Sequence, residues 1–472
     1  MNERKYLGID IGTTSLKAAV FNHEGKRLAL RAVDYTLCTD SLTGFIEFEA
    51  MRYVTMCREV IDELTAECGS IDALSVDTQG ETLIFADGEG KPLCPAIVWL
   101  DNRATAEAEE IKAKFGNKRV YDVTGQSEIA AAWPASKLLW MRRNRPDILA
   151  KAEKIFLLED WILYHLSGAF VTEPTIQSSS LYFDITKNGW WGEMLDFIGI
   201  HEGQLPRIVK TATAVGEYRG ITVVSGMLDQ IAGTIGAGVT DENKISEMTG
   251  TIMAICIMTD EIPAYDAASI VPCHAHAIEG KYCRILCSST AGMALKWFKN
   301  QFAESYSFKE LDMLAKDVAP GCDGLTMLPY FCGAYTPKYD PNARAVFAGV
   351  ELSHTRGHFA RAIMEAIAFN LKQNLEFANT DAAEIRITGG GAASPLWAGI
   401  KAEVTGKILK TLAEGETACL GTALAAAVGI GDFPDIATAA DKVVTTAKAY
   451  APTGVDYTAA YARYCDLDSK LY

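Results

Sequence analysis

Missing from this 472-residue chain are the glycine patterns that most often announce a bound dinucleotide or a P-loop. There is no G-x-x-x-x-G-K-[ST] and no spaced G-x-G-x-x-G. Basic clusters are missing too: no run of Lys or Arg exceeds two residues, and 44 Lys+Arg stand against 60 Asp+Glu, a net charge of −16. A protein that tracks nucleic-acid phosphates or lies on an anionic membrane carries the opposite balance, so no nucleic acid and no membrane partner is expected. No apolar run approaches the roughly 20 residues of a membrane span. The opening MNERKYLGID enters a strand with no apolar leader, so a cytoplasmic location is expected. The 12 cysteines contain no C-x-x-C pair and read as small buried hydrophobes. The one dense group, Cys273-His274-x-His276 with Cys283, fits no standard zinc spacing and alternates like a strand.

What is present reads as a two-domain α/β protein, because a chain of this length exceeds one ordinary core. Tyr6 to Asp10 is an apolar strand ending in an acid. A turn, Gly12-Thr13-Thr14-Ser15, leads into a second strand, Leu16 to Phe21, and a third follows from Arg27 to Tyr35. Ala50 to Glu67 has helical periodicity and Ala73 to Asp77 is a short strand. A similar opening recurs after Gly236-Ala237-Gly238, a small-residue stretch suited to a boundary. Ile245 to Met248, the turn Thr249-Gly250-Thr251, the strand Ile252 to Met258 and the strand Lys281 to Cys287 precede a helix, Ala291 to Phe302. This points to duplication of one α/β unit, with domains at 1–238 and 239–472. Further on, Gly357 to Ala378 and Pro395 to Thr405 are predicted helices flanking a strand, Glu384 to Thr388. Ala423 to Val428 and Ala437 to Tyr450 are helical by composition.

Three constellations carry chemistry. The first is the set of Gly/Thr turns at Asp10-x-Gly12-Thr13-Thr14, Thr249-Gly250-Thr251 and Gly389-Gly390-Gly391-Ala392. Glycines let backbone approach a phosphate closely, and turn N–H groups and Thr hydroxyls donate to its oxygens. Asp10 is placed to orient water on Mg²⁺, and Lys17 to meet phosphate charge. The second is Gly226-Met227-Leu228-Asp229-Gln230 ahead of a small-residue helix, where Asp229 is either a general base for a substrate hydroxyl or an ordinary N-cap. The third is Asp77-Thr78-Gln79-Gly80-Glu81 with Trp99 downstream, polar groups beside an aromatic wall that suit a polyol. Read as structure alone, Trp99 is a core aromatic.

Together these segments resemble the FGGY carbohydrate kinases. Leu7-Gly-Ile-Asp-Ile-Gly-Thr-Thr14 is similar to the family's first phosphate motif, and Pro134-x-x-Lys137-Leu-Leu-Trp140 to its first signature. Ala345 to Val350 with His358 to Glu365 resembles the second signature. Tyr330 to Pro337 and Gly389 to Trp397 are similar to the xylulokinase branch. The resemblance implies two ribonuclease-H-like domains of the actin/Hsp70/hexokinase superfamily with an interdomain cleft. The first would bind sugar, the second most of the nucleotide, and the last helix would pack back on the first. It implies ATP and Mg²⁺, with Asp229 as base and Asp10 beside the metal. It places Thr13, Thr14, Lys17, Gly250, Thr251, Gly292, Gly390, Gly391 and Ala392 around ATP, and Thr78, Gln79, Glu81, Trp99, Asp229 and Gln230 around the sugar or polyol. Gly80 and Ala132 stand where glycerol kinases carry an arginine and a tyrosine, so open space is expected there. A ketopentose such as D-xylulose is the expected substrate, with glycerol or another polyol, or a non-catalytic nucleotide-gated binding protein, as alternatives. A homodimer is the assembly entertained.

Overall fold

The computed structural model describes residues 4–267 and 271–472. The chain divides into two compact units. The first holds the chain through Thr240 together with Met258–Arg284 and Glu416–Val444; the second holds Asp241–Ile257, Ile285–Gly415 and Thr445–Tyr472.

In the first unit a six-stranded sheet runs in the order Ala214–Tyr218, Ile221–Leu228, Ala73–Thr78, Lys5–Ile11, Ser15–Asn22, Arg27–Asp34. The middle strands, Ile221–Leu228, Ala73–Thr78 and Lys5–Ile11, are parallel, and the outer pairings are antiparallel. Ala73–Thr78 is buried at every residue, which is why it reads as a continuous rather than an alternating apolar run. Helix Ala50–Cys68 closes part of this core with Tyr53, Val54, Cys57, Val60, Ile61 and Leu64. Helix Thr417–Gly429 closes another part by backbone contact. A Cβ added at Gly236 would lie 1.8 Å from the Thr417 carbonyl oxygen, and one at Gly421 would lie 2.0 Å from that of Ala232. Only glycine lets Thr417–Gly429 and helix Asp229–Gly236 lie this close.

The second unit repeats the plan. Six strands of its seven-stranded sheet run in the order Thr446–Tyr450, Ile408–Leu412, Glu384–Thr388, Lys244–Thr249, Met253–Thr259, Tyr282–Ser288. Ile408–Leu412, Glu384–Thr388 and Lys244–Thr249 are parallel, and the two flanking pairings, to Thr446–Tyr450 and to Met253–Thr259, are antiparallel. In both units a hairpin is followed by parallel strands added on the same side, so the recurrence in sequence is a recurrence of topology.

Two expectations are corrected. The segment 437–450 is not one helix: Ile436–Val443 is helical, and Thr446–Tyr450 is an edge strand on Ile408–Leu412. The run Val443-Val444-Thr445-Thr446 explains the change, since β-branched side chains lose rotamers in a helix and fit a strand. The segment that returns to the first unit is not the last helix but Thr417–Gly429. The last helix, Thr458–Leu471, belongs to the second unit. Its Tyr461 and Tyr464 pack on Phe369 of helix Arg356–Ala378, and its Asp468 accepts a 2.8 Å hydrogen bond from the Tyr330 hydroxyl. Among the described residues no helix is long and apolar enough to cross a membrane.

Candidate active site

Strands Lys5–Ile11, Ala73–Thr78 and Ile221–Leu228 are parallel, so their carboxyl ends share one edge of the first sheet. Ligands of open α/β sheets bind at that edge. Three acids sit there. Asp10 and Asp77 are register partners on adjacent strands, and Asp229 follows the third strand. Burial pushes the Asp10 carboxyl up to about 6, with Asp77 and the Lys17 charge opposing the rise. Burial pushes Asp77 well above the usual carboxylate range, and the charges of Asp10 and Asp229 add to it. Thr422 donates its hydroxyl to Asp77 Oδ2, while Asp77 Oδ1 has no partner among the described residues. Like charges this close cannot both ionise without a cation between them. The pair therefore fits a divalent ion: the orphaned Asp77 Oδ1 lies on the strand beside Asp10, its register partner, and a cation there would favour the ionised form of both carboxyls.

Asp229 is not the cap of its helix. Leu228, with extended backbone, is the N-cap, and Asp229 is the first helical residue. Its Oδ1 accepts the Gln230 N–H at 2.6 Å. Lys17, expected at phosphate, is instead paired with Glu416 at 2.7 Å. Strand alternation accounts for this: Lys17 lies opposite Asp10 in the hairpin, where Glu416 at the start of Thr417–Gly429 reaches it.

Around this edge lie the expected polyol-binding groups. Trp99 Nε1 donates to Thr13 Oγ1 at 3.0 Å, tying the aromatic wall to the first Gly/Thr turn. The buried Gln79 donates to the Tyr53 hydroxyl at 3.4 Å, and among the described residues neither its Oε1 nor that of Gln230 has a partner. Thr78 is buried and donates to the Gln79 carbonyl at 3.0 Å, so its hydroxyl is already committed as a donor. Glu81 has φ of 59°, a left-handed backbone costly for any residue but glycine. Burial raises its carboxyl, and a Ser179 hydrogen bond and the Lys137 charge oppose that rise. The open space expected at Gly80 is absent. A Cβ there would lie 3.2 Å from both Leu228 Cδ1 and Ser179 Oγ, so those two side chains occupy the volume. Ser179 and Thr422 escaped the sequence reading because neither lies in a motif. Asp77 was legible as an acid after a strand, but its partnership with Asp10 exists only in the parallel register.

The second unit holds a cavity of about 590 Å³, within the range of small-molecule sites. Thr249, Gly250 and Thr251 line it, as do Gly292, Gly390 and Gly391, so five of the residues expected around a nucleotide converge there. Ala392 does not line it, although it belongs to the same 3-10 turn, Gly390–Ala393, and its neighbours do. Met293, Lys296, Phe308, Lys309 and Asp312 also line it and went unread, since they come from helices whose pattern signals only packing, and Trp397, read only as the end of a branch motif, lines it too. Gly292 and Gly391 are structural requirements. A Cβ at Gly292 would lie 2.5 Å from the Gly250 carbonyl oxygen, and one at Gly391 would lie 2.5 Å from Thr249 Cγ2. Gly292→Ala must push the helix start off the Thr249-Gly250-Thr251 turn. It is expected to weaken ATP binding by at least about tenfold in calorimetry while sugar affinity stays within about twofold. Below the turn, Lys401 reaches Glu247 Oε2 at 2.9 Å and Thr249 Oγ1 at 2.6 Å, all three side chains being buried. No group of three or more His, Cys, Asp or Glu side chains among the described residues is arranged to hold a metal ion. His274 sits instead beside Gln126 Nε2 at 3.3 Å, and burial lowers it to about 4.

Comparison with known proteins agrees with this geometry. Residues 5–246 match the N-terminal domain, and residues 276–430 the C-terminal domain, of the FGGY family of carbohydrate kinases. A xylulose kinase of Bacillus subtilis is 27% identical over 99% of this chain and 96% of its own length. A gluconokinase of the same organism is 26% identical over 93% and 90%. The crystal structure of a ligand-bound xylulose kinase from Lactobacillus acidophilus superposes with a TM-score of 0.92, at 24% identity over 99% of this chain and 98% of that one. The two matched domains together span most of the sequence, and the chain belongs to the FGGY family of carbohydrate kinases, which are phosphotransferases.

Proposed function

We propose that this kinase transfers the γ-phosphoryl group of ATP to a hydroxyl of a neutral ketopentose, D-xylulose being the best candidate. The observation that carries the reading is the acid cluster at the carboxyl edge of the first sheet, where Asp229 follows the strand paired with the one that ends beyond Asp77, itself the register partner of Asp10. Asp229 is the proposed base: it accepts the proton of the sugar hydroxyl as the oxygen attacks phosphorus, and ADP leaves. Phosphoryl transfer asks little covalent chemistry of the protein beyond alignment and charge neutralisation. Asp10 and Asp77 are the residues that would hold Mg²⁺, which when bound supplies positive charge for the transferring phosphoryl group. Gly250, Thr251, Gly292, Gly390 and Gly391 are the proposed nucleotide contacts, and Gln79, Glu81, Trp99 and Gln230 those to sugar.

Charge supports a neutral substrate. Asp10, Asp77, Asp229 and Glu81 gather in the first unit. The two lysines beside them are committed, Lys17 to Glu416 and Lys137 to backbone carbonyls. A sugar acid such as gluconate would add a carboxylate to these acids, whereas Gln79 Oε1 and Gln230 Oε1, without partners among the described residues, match hydroxyl donors. Glycerol meets fewer of these acceptors, and a site built to hydrogen-bond a hydroxyl rejects an analogue lacking it.

A coupled ADP-release screen over D-xylulose, D-ribulose, L-xylulose, the pentitols, glycerol and gluconate tests the reading. A ketopentose is expected to exceed both glycerol and gluconate by at least about tenfold in kcat/KM. A win for glycerol or gluconate would remove the ketopentose assignment. No ADP release above background from any sugar, with nucleotide still bound, would favour the non-catalytic alternative.

A further inference from the structure

Lys137 is the feature of the first unit that the proposed chemistry leaves unexplained. It lies in helix Pro134–Asn144 with no measurable exposure. A lysine is almost never fully buried without a carboxylate against it. Among the described residues none forms an ion pair with it: its Nζ donates to two backbone carbonyls, that of Val98 at 2.9 Å and that of Glu81 at 3.2 Å. Burial lowers the group to about 7, with the Glu81 and Asp101 charges opposing.

The identity of those two carbonyls gives the lysine its meaning. One belongs to Glu81, the residue with left-handed backbone. The other belongs to the residue immediately before Trp99, the wall of the proposed sugar site. The two segments come from different parts of the chain, 81 following one strand of the first unit and 98–99 following another, Ala96–Ile97. The buried amine donates to both. A left-handed glutamate persists only where its surroundings over-determine it, and a donor on its own carbonyl is one such constraint.

Resting on the proposed sugar site, we infer that Lys137 is a positioning residue for that site: one buried amine locks Glu81 and Trp99 in register with each other, acting through the backbone and not on the sugar itself. Its removal frees Glu81 from the left-handed conformation and lets the 98–99 segment drift, so acceptors and wall no longer match one substrate. The nucleotide cavity, built entirely from second-unit residues, is untouched.

Two variants test this. Lys137→Met removes the donors at similar volume, and Lys137→Gln restores an N–H₂ that can reach at least one carbonyl. Calorimetry with D-xylulose and with ATP, together with steady-state kinetics, reads the outcome. For Lys137→Met the sugar KM is expected to rise by roughly 10-fold to 100-fold, a shift of the kind that mispositioned binding groups produce. ATP affinity should stay within about twofold, and Lys137→Gln should recover part of the loss. Adding Glu81→Gln to Lys137→Met should cost much less than it does in the wild type, because both changes act through Glu81. Wild-type sugar affinity in Lys137→Met, additive effects in the double variant, or parallel loss of sugar and ATP affinity would each overturn the inference. Absence of sugar binding by the unaltered protein would instead sink the functional reading on which it rests.

Discussion

Asp229→Asn is expected to lower kcat by about 10²–10⁴, the usual worth of a positioned general base, while binding of sugar and ATP persists. The substitution keeps shape: an asparagine oxygen can still accept the Gln230 N–H that Asp229 Oδ1 now accepts at 2.6 Å, so the helix start should hold. What it removes is the ability to take a proton. It also removes one negative charge from beside Asp77, one of the charges that hold the Asp77 carboxyl high. The variant should therefore bind Mg²⁺-ATP no worse than the parent. Steady-state turnover and calorimetric affinities on the same preparation separate the two effects. Turnover within a few fold of wild type would take Asp229 out of the mechanism and leave the acid cluster without a base.

The second large effect is on stability. Lys401 and Glu247 form an ion pair whose side chains are 2% and 0% exposed, with Thr249 bonded to both. Lys401→Met leaves the Glu247 carboxylate buried with no cation, and breaking such a pair costs about 3–5 kcal/mol. The loss should appear in the unfolding transition of the second unit, followed by a probe local to it because two-unit chains need not melt in one step. Since Thr249 lines the cavity, ATP affinity should fall as well. Replacing both partners, Lys401→Met with Glu247→Leu, removes the stranded charge and should recover most of the stability. A single variant as stable as wild type would mean that water reaches Glu247 and the pair is not dry.

Which features were legible in sequence follows from their range. The hairpins around Gly12 and Gly250, helix Pro395–Thr405 and strand Glu384–Thr388 rest on local turn chemistry and periodicity, and these were readable. The acids were readable one at a time because each follows an apolar strand. Their proximity was not, since it depends on parallel register between strands whose order is set by the whole sheet. Thr422 shows the limit: it is one polar residue in an Ala-rich helix, and nothing near it in sequence says that it donates to Asp77. Gly80 shows a different failure. Its missing side chain was read as missing volume, yet Leu228 and Ser179, distant in sequence, had already filled it. The helix assigned to 437–450 failed because alanine content outweighed a β-branched run at which packing on Ile408–Leu412 prefers a strand.

The return of Glu416–Val444 to the first unit bears on the order in which this protein can be born. The Asp77–Thr422 hydrogen bond spans 345 residues, and Gly8 is packed against the Cys419 carbonyl. On a ribosome, strands Lys5–Ile11 and Ala73–Thr78 therefore emerge long before the helix that covers them. Their apolar surface must wait for most of the chain, including nearly all of the second unit, to be synthesised. At roughly 5–20 residues per second that wait is on the order of tens of seconds, long enough for a chaperone to matter. The second unit lacks only its last strand and helix when Glu416 appears, so the unit that begins second comes close to completion while the first is still open.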